Sequence, residues 1–407
     1  MGKKAGFFGG AIFAVLVLSL LGSGCGSRTA GTSASAESAA LPAESGPEPV
    51  EFYFYLNGDS DILGARPDGE IDHQAEIVYD ELRALLPAAN FGVHAYLDRG
   101  ISLRGGDPID SETYDRCADA PAEIRALGET DSADPRYLRE LLAKRCYPAA
   151  KRFVALWSHG DGYRVQNDYD FDPSDRGFHV STLLREIPDG FAEAVLFDSC
   201  AMASLEVASL LEGKAKWMLA SQFELPNVGI RYGGLPALLG KSRETGAILS
   251  LLRADSERAF AETGATAPLV LLDLAKLPAV SEAFARAWAA ATAKVAAAGG
   301  DAYAEFRSSV LRGARDGDLY FLFSRYAPDA MPALTAALES GRGSLHFALP
   351  ATTSDRDADL EAVAASAPEV FRTWSEKFPN WAAYARVRSV LPASEVPQAD
   401  VPKQGVQ

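Results

Sequence analysis

Five short apolar runs set the main limit on what this chain can fold into. They lie at residues 50–56, 91–97, 153–157, 194–197 and 217–220. Each has strand length and ends in Gly, Asn, Asp, Ser or His. Near-continuous apolar strands belong to parallel sheets covered by helices on both faces. Between the first two runs, Ile77, Val78, Leu82, Leu85 and Leu86 recur at helical spacing over residues 72–86. Strand, helix, strand with short links is a βαβ unit, which implies parallel pairing. The expected class is α/β, with a mostly parallel sheet flanked by helices.

Two of the runs stop at reactive side chains. One reads Phe153-Val154-Ala155-Leu156-Trp157-Ser158-His159-Gly160, the other Ala194-Val195-Leu196-Phe197-Asp198-Ser199-Cys200. Sites in such sheets are built at the C-terminal ends of strands. A thiol and an imidazole delivered there are the parts of a cysteine nucleophile and its proton carrier. Met202, Leu205 and Val207 predict a helix over 201–211, whose N-terminus would lower the Cys200 pKa. The alternative is a Cys200 buried as a small hydrophobe. His73, His94, His179 and His346 lack a comparable setting: His94 lies inside a strand, His73 at a helix start.

Further helices are expected at 135–145, with Asp134 as N-cap, and at 180–187, 245–262, 280–298, 303–315 and, mostly, 358–390. Strands are expected at 268–274 and 344–349, and residues 99–133 read as a loop-like insertion. The polar stretch 160–178 contains Asn167, Asp168, Asp170, Asp172 and Asp175. Alternating carboxylates are calcium ligands, but the spacing is not that of an EF-hand, and a solvated loop is the alternative. No other metal or cofactor is expected.

The ends of the 407-residue chain differ from its middle. Lys3 and Lys4, an apolar stretch to Leu21 and small residues before Cys25 resemble a bacterial lipoprotein signal over residues 1–25. Cys25 would then carry lipid and anchor the chain to a membrane of the bacterial cell envelope. An ordinary secretory signal or an uncleaved anchor are alternatives. Residues 26–49 read as a flexible tether and 393–407 as a disordered tail, since neither can bury a core. The formal charge of −16 argues against nucleic acid as a partner. In an oxidising compartment Cys117 and Cys146 could form a disulfide, leaving Cys200 unpaired. The alternative is three free thiols.

Four segments then occur in order: Tyr55-Leu56-Asn57-Gly58-Asp59, residues 156–163 around His159, residues 196–207 around Cys200, and residues 220–229. Together they resemble the clostripain family of cysteine peptidases, in the same clan as caspases, over roughly residues 50–390. The resemblance implies a caspase-like core at 50–239, completed by an α-rich region at 240–392. It implies a His159–Cys200 dyad that cleaves peptide bonds through an acyl-enzyme, with the amides of Gly160 and Cys200 stabilising the oxyanion and no third orienting residue. It also implies maturation cleavage between the two, for which Arg164, Arg176 and Arg185 are candidate positions.

One departure concerns specificity. The family loop after the fifth strand carries an Asp that helps bind a basic P1 side chain, whereas this chain has Val228 there. Asp198, the pocket's other acid, is kept, and Glu224 lies nearby in sequence. A preference for Arg at P1 is expected to be weakened. Two rival functions fit the same residues: a catalytically silent peptide- or glycan-binding lipoprotein, and a transpeptidase.

Overall fold

A computed structural model describes residues 47–347, apart from 67, 86–88, 101–102, 104–108, 119, 161–163, 166–177, 299–304, 307, 313–315 and 340–342. The expectations for Cys25 and residues 1–46, for Arg176 and the acidic stretch 167–175, and for 358–407 all lie outside the described residues.

Among the described residues the main sheet has eight strands. In chain order its members are β1 (Val50–Asn57), β4 (Phe91–Asp98), β5 (Ser111–Cys117), β6 (Glu123–Gly128), β7 (Lys151–Trp157), β10 (Ala192–Asp198), β11 (Ala215–Ser221) and β12 (Leu269–Asp273). The short ladders β2 (Leu63–Ala65) with β3 (Ile71–His73), and β8 (Arg164–Val165) with β9 (Phe178–His179), stand apart from it. The spatial order is β12-β11-β10-β7-β1-β4-β5-β6. The central five strands are parallel, and the outer three are antiparallel to their neighbours. This is the mostly parallel α/β architecture that the apolar runs imply.

Side chains alternate across a strand, so each strand feeds both faces. On β1, Phe52, Phe54 and Leu56 join one apolar cluster, while Tyr53 and Tyr55 join the other. The first cluster is closed by α1 (Gln74–Ala84), α5 (Leu235–Leu239) and α6 (Thr245–Glu262). The second is closed by α2 (Pro135–Ala143), α3 (Ser181–Leu184), α4 (Leu205–Leu210) and α7 (Leu277–Ala298). Asp134 caps α2, its side chain accepting the Arg136 N–H. β12 comes from the C-terminal region, so that region contributes an edge strand to the main sheet.

Two expectations are corrected. Residues 99–133 are not simply a loop, because they hold the β5–β6 hairpin that extends the sheet. β6 is exposed along most of its length and carries Glu123 and Arg125, which suits an edge strand and hides it from an apolar search. The helix expected at 303–315 gives way at Leu311–Arg312 to a short strand. Among the described residues no helix is long and apolar enough to cross a membrane.

Candidate active site

β7 and β10 are adjacent and parallel, with Trp157 opposite Asp198. His159 lies two residues beyond Trp157, and Cys200 two beyond Asp198. The two reactive residues therefore leave neighbouring strands at the same level, where strands run about 4.8 Å apart. The Ser158 N–H still donates to the Asp198 carbonyl at 3.4 Å. Gly160 follows at a point of contact: a Cβ there would collide with the Cys200 carbonyl oxygen and lie 3.0 Å from Ser199 Cβ. The glycine after His159 is thus required by the close approach of the cysteine-bearing loop.

The segment after β10 is not a helix start. Ala201 has φ +55°, in the left-handed region where an L side chain is strained. Its N–H donates to the Phe223 carbonyl at 2.9 Å, and that of Ala203 to the Ser221 carbonyl at 2.8 Å. α4 begins only at Leu205, with Ser204 capping it through the Val207 N–H. The expected helix at 201–211 starts four residues late, so Cys200 does not sit at its N-terminus. The thiol is partly buried and accepts the Leu225 N–H at 3.2 Å. Burial, reinforced by the charges of Glu224 and Asp198, pushes its pKa above the usual thiol range against the pull of that N–H. At neutral pH Cys200 rests as the thiol, opposite to what a helix N-terminus would produce.

His159 has a partner that the sequence reading did not single out. Its Nε2 lies 2.7 Å from Asp61 Oδ1, on the loop after β1. The motif Asn57-Gly58-Asp59-Ser60-Asp61 marks that loop as polar, but nothing local says which acid meets a histidine 98 positions away.

The residues expected to read P1 are close together, but Asp198 is occupied. Its carboxylate accepts the Ile230 N–H at 2.9 Å and the Tyr232 hydroxyl at 3.4 Å. Gly229, at φ +61°, leaves no room for a Cβ, which would lie 2.7 Å from Asp198 Oδ1. Complete burial pushes the Asp198 pKa up to about 7, against those two hydrogen bonds. Val228 packs against the apolar cluster on that face, and Glu224 is exposed.

Cys117 and Cys146 form a disulfide at the other end of the sheet, where Cys117 pairs with Gly92 at the start of β4. His94 Nε2 lies 3.6 Å from Cys146 Sγ, and Glu51 completes a group of metal-ligand type. That sulfur is bonded to Cys117, so it is neither a nucleophile nor a thiolate ligand. Arg185 caps the C-terminus of α3 and donates to the Thr182 carbonyl.

The clostripain family model matches residues 121–298, a stretch that holds both His159 and Cys200. Across these residues the chain is similar to the clostripain family of cysteine peptidases. A secreted C11 cysteine protease from Bacteroides thetaiotaomicron, solved with an irreversible peptide inhibitor, has a similar fold. It gives a TM-score of 0.58 at 15% identity, over 80% of this chain and 98% of that one. An inactive zymogen C11 protease from Parabacteroides distasonis gives 0.53 at 16%, over 77% and 91%. At such identities the likeness is one of fold. Among curated proteins, the urease accessory protein UreE of Citrobacter koseri is 33% identical over 92 residues. The match spans 23% of this chain and 58% of that protein, so nothing of that protein's role is carried over.

Proposed function

We propose that this clostripain-like chain is an exported cysteine endopeptidase, anchored to the membrane through Cys25, with Cys200 as nucleophile and His159 as proton carrier. The observation that carries the reading is the level exit of His159 and Cys200 from adjacent parallel strands, with Gly160 seated against the Cys200 carbonyl. Because Cys200 rests as a thiol, His159 takes its proton as the sulfur attacks the peptide carbonyl. The amides of Gly160 and Cys200 hold the developing oxyanion. His159 then gives the proton to the leaving amine as the C–N bond breaks. Water attacks the thioester, releases the new acid and restores the thiol.

Specificity at P1 shifts away from Arg. Val228 is apolar, and Asp198 is already hydrogen-bonded and about half protonated near pH 7. A doubly acidic pocket for a guanidinium is absent from these two positions. A panel of fluorogenic peptides differing at P1 tests both parts. Cleavage is expected with several uncharged P1 residues and lost in Cys200→Ala and His159→Ala. Strong cleavage of Arg substrates alone would overturn the specificity reading. Cleavage that survives in Cys200→Ala would overturn the mechanism.

A further inference from the structure

We propose that Asp61 is the positioning residue of this site: its carboxylate takes the Nε2–H of His159 and so assigns proton exchange with Cys200 and the leaving amine to Nδ1. The proposal rests on the dyad reading above and adds a third member to it.

The geometry that carries this is the 2.7 Å contact between His159 Nε2 and Asp61 Oδ1. A carboxylate at neutral pH has acceptors only, so the ring nitrogen is the donor. A neutral imidazole has one N–H, and spending it on Asp61 leaves the lone pair on Nδ1. When that nitrogen takes the thiol proton, the imidazolium forms beside an existing negative charge. The loop holds the ring at one tautomer and orientation through both stages.

An exposed ion pair adds little to stability, and the Asp61 side chain is 72% exposed. What separates this pair from an incidental surface contact is how Asp61 is presented. β1 ends at Asn57, and Gly58 donates to the Asp98 carbonyl at 3.1 Å in a turn where a Cβ would lie 2.6 Å from Ala75 Cβ. The Ser60 carbonyl meets His73 Nδ1 at 3.1 Å. The Ile62 carbonyl accepts the Gln74 N–H at 2.8 Å, and the Ile62 side chain packs on the core. The Leu63 carbonyl accepts Asn227 Nδ2 at 2.9 Å. Both flanks of Asp61 are thus fixed to other elements while its carboxylate faces His159. The other acid of the loop is turned elsewhere, with Asp59 Oδ1 lying against Gly100. Through Asn227 the same loop is tied to the segment carrying Val228, so the group that orients the base and the one that lines the pocket share an anchor.

The test uses the full chain carrying Asp61→Ala, Asp61→Asn and Asp61→Glu. The exposed position keeps the melting temperature unchanged in all three. Asp61→Ala is expected to lower kcat about 10- to 100-fold, a fraction of what a general acid–base contributes, with KM changed less than about twofold. Asp61→Glu restores part of the loss. In the 15N spectrum of the resting protein, His159 shows the Nε2–H tautomer, and Asp61→Ala moves it to a tautomer mixture. Unchanged kcat and an unchanged 15N pattern in Asp61→Ala would overturn the proposal while leaving the dyad standing. If Cys200 proves unreactive in the wild type, the dyad reading fails, and the 15N pattern still decides whether Asp61 fixes the imidazole.

Discussion

The two ends of the sheet carry the same three groups and put them to opposite use. At the N-terminal edge, Cys146 Sγ lies 3.6 Å from His94, and His94 Nδ1 lies 2.8 Å from Asp115. At the C-terminal edge, Cys200 and His159 leave adjacent strands together, and His159 lies 2.7 Å from Asp61. The N-terminal set is closed. Its sulfur is in a disulfide, Lys144 holds the second Asp115 oxygen, and Glu51 accepts from two backbone amides, the Tyr53 hydroxyl and Arg152. The C-terminal set keeps a free sulfur, a half-exposed imidazole and an exposed acid. The carboxylates follow the same division. Burial raises Asp98 and Asp198 to about 7 at the C-terminal edge. At the N-terminal edge burial also opposes charge on Asp115, but His94 and Lys144 outweigh it and pull its pKa below the ordinary value. One edge has its charges compensated, whereas the other holds two buried carboxyls that are close to half protonated at neutral pH.

The largest expected difference is between the two sulfurs. Cys200→Ala is expected to lower kcat by about 1,000-fold or more with little change in folding. Cys117→Ser with Cys146→Ser is expected to cost about 3 kcal/mol of stability, since the disulfide closes a separation of 29 residues, and to leave kcat of the folded protein nearly unchanged. Paired denaturation and kinetic measurements on both variants check this. Activity lost through the disulfide pair alone would break the comparison.

The next effect is in stability against pH. Asp98 and Asp198 are raised in the folded state, so between about pH 4 and 7 the native chain holds protons that the unfolded chain has released. Their contribution therefore becomes more favourable as pH falls through 7, by up to about 1.4 kcal/mol per pH unit for each group. Asp115 is lowered and has the opposite sign: its contribution is present above the ordinary carboxylate range and is lost as pH falls through its folded value. Urea denaturation across pH 3–8 should show Asp198→Asn flattening the slope between 4 and 7, and Asp115→Asn removing the loss below it.

Alkylation of Cys200 by iodoacetamide gives a smaller but cleaner contrast. With its pKa raised by burial, the rate is expected to keep rising beyond the pH at which a model thiol levels off. A plateau near neutral pH would mean that a thiolate is already held in the resting site. Smallest is Val228→Asp, expected to raise the ratio of Arg to uncharged P1 cleavage by about tenfold. Its acid would be new, while Asp198 stays committed to Ile230 and Tyr232.

What could be read from the sequence divides along physical lines. The placement of His159 and Cys200 at neighbouring strand ends was legible because strand ends are local, and parallel pairing then brings them level. The delayed start of α4 was not, because residues 201–204 have apolar spacing that suits a helix but are held out of one by bonds to the carbonyls of Ser221, the last residue of β11, and of Phe223 just beyond it. The β5–β6 hairpin was hidden because an exposed edge strand carries charge where a buried one carries Val or Leu. Asp61 was invisible for the simplest reason: its partner lies 98 residues away, and the loop bonds that aim it involve Gln74, His73 and Asn227.

The division between the two sulfurs is tested most directly by exposing the folded chain to an electrophilic peptide ketone and mapping the adduct by mass spectrometry. Labelling at Cys200, lost in His159→Ala, is the predicted result. An unlabelled Cys200 in folded protein, or an adduct on Cys117 or Cys146, would contradict it.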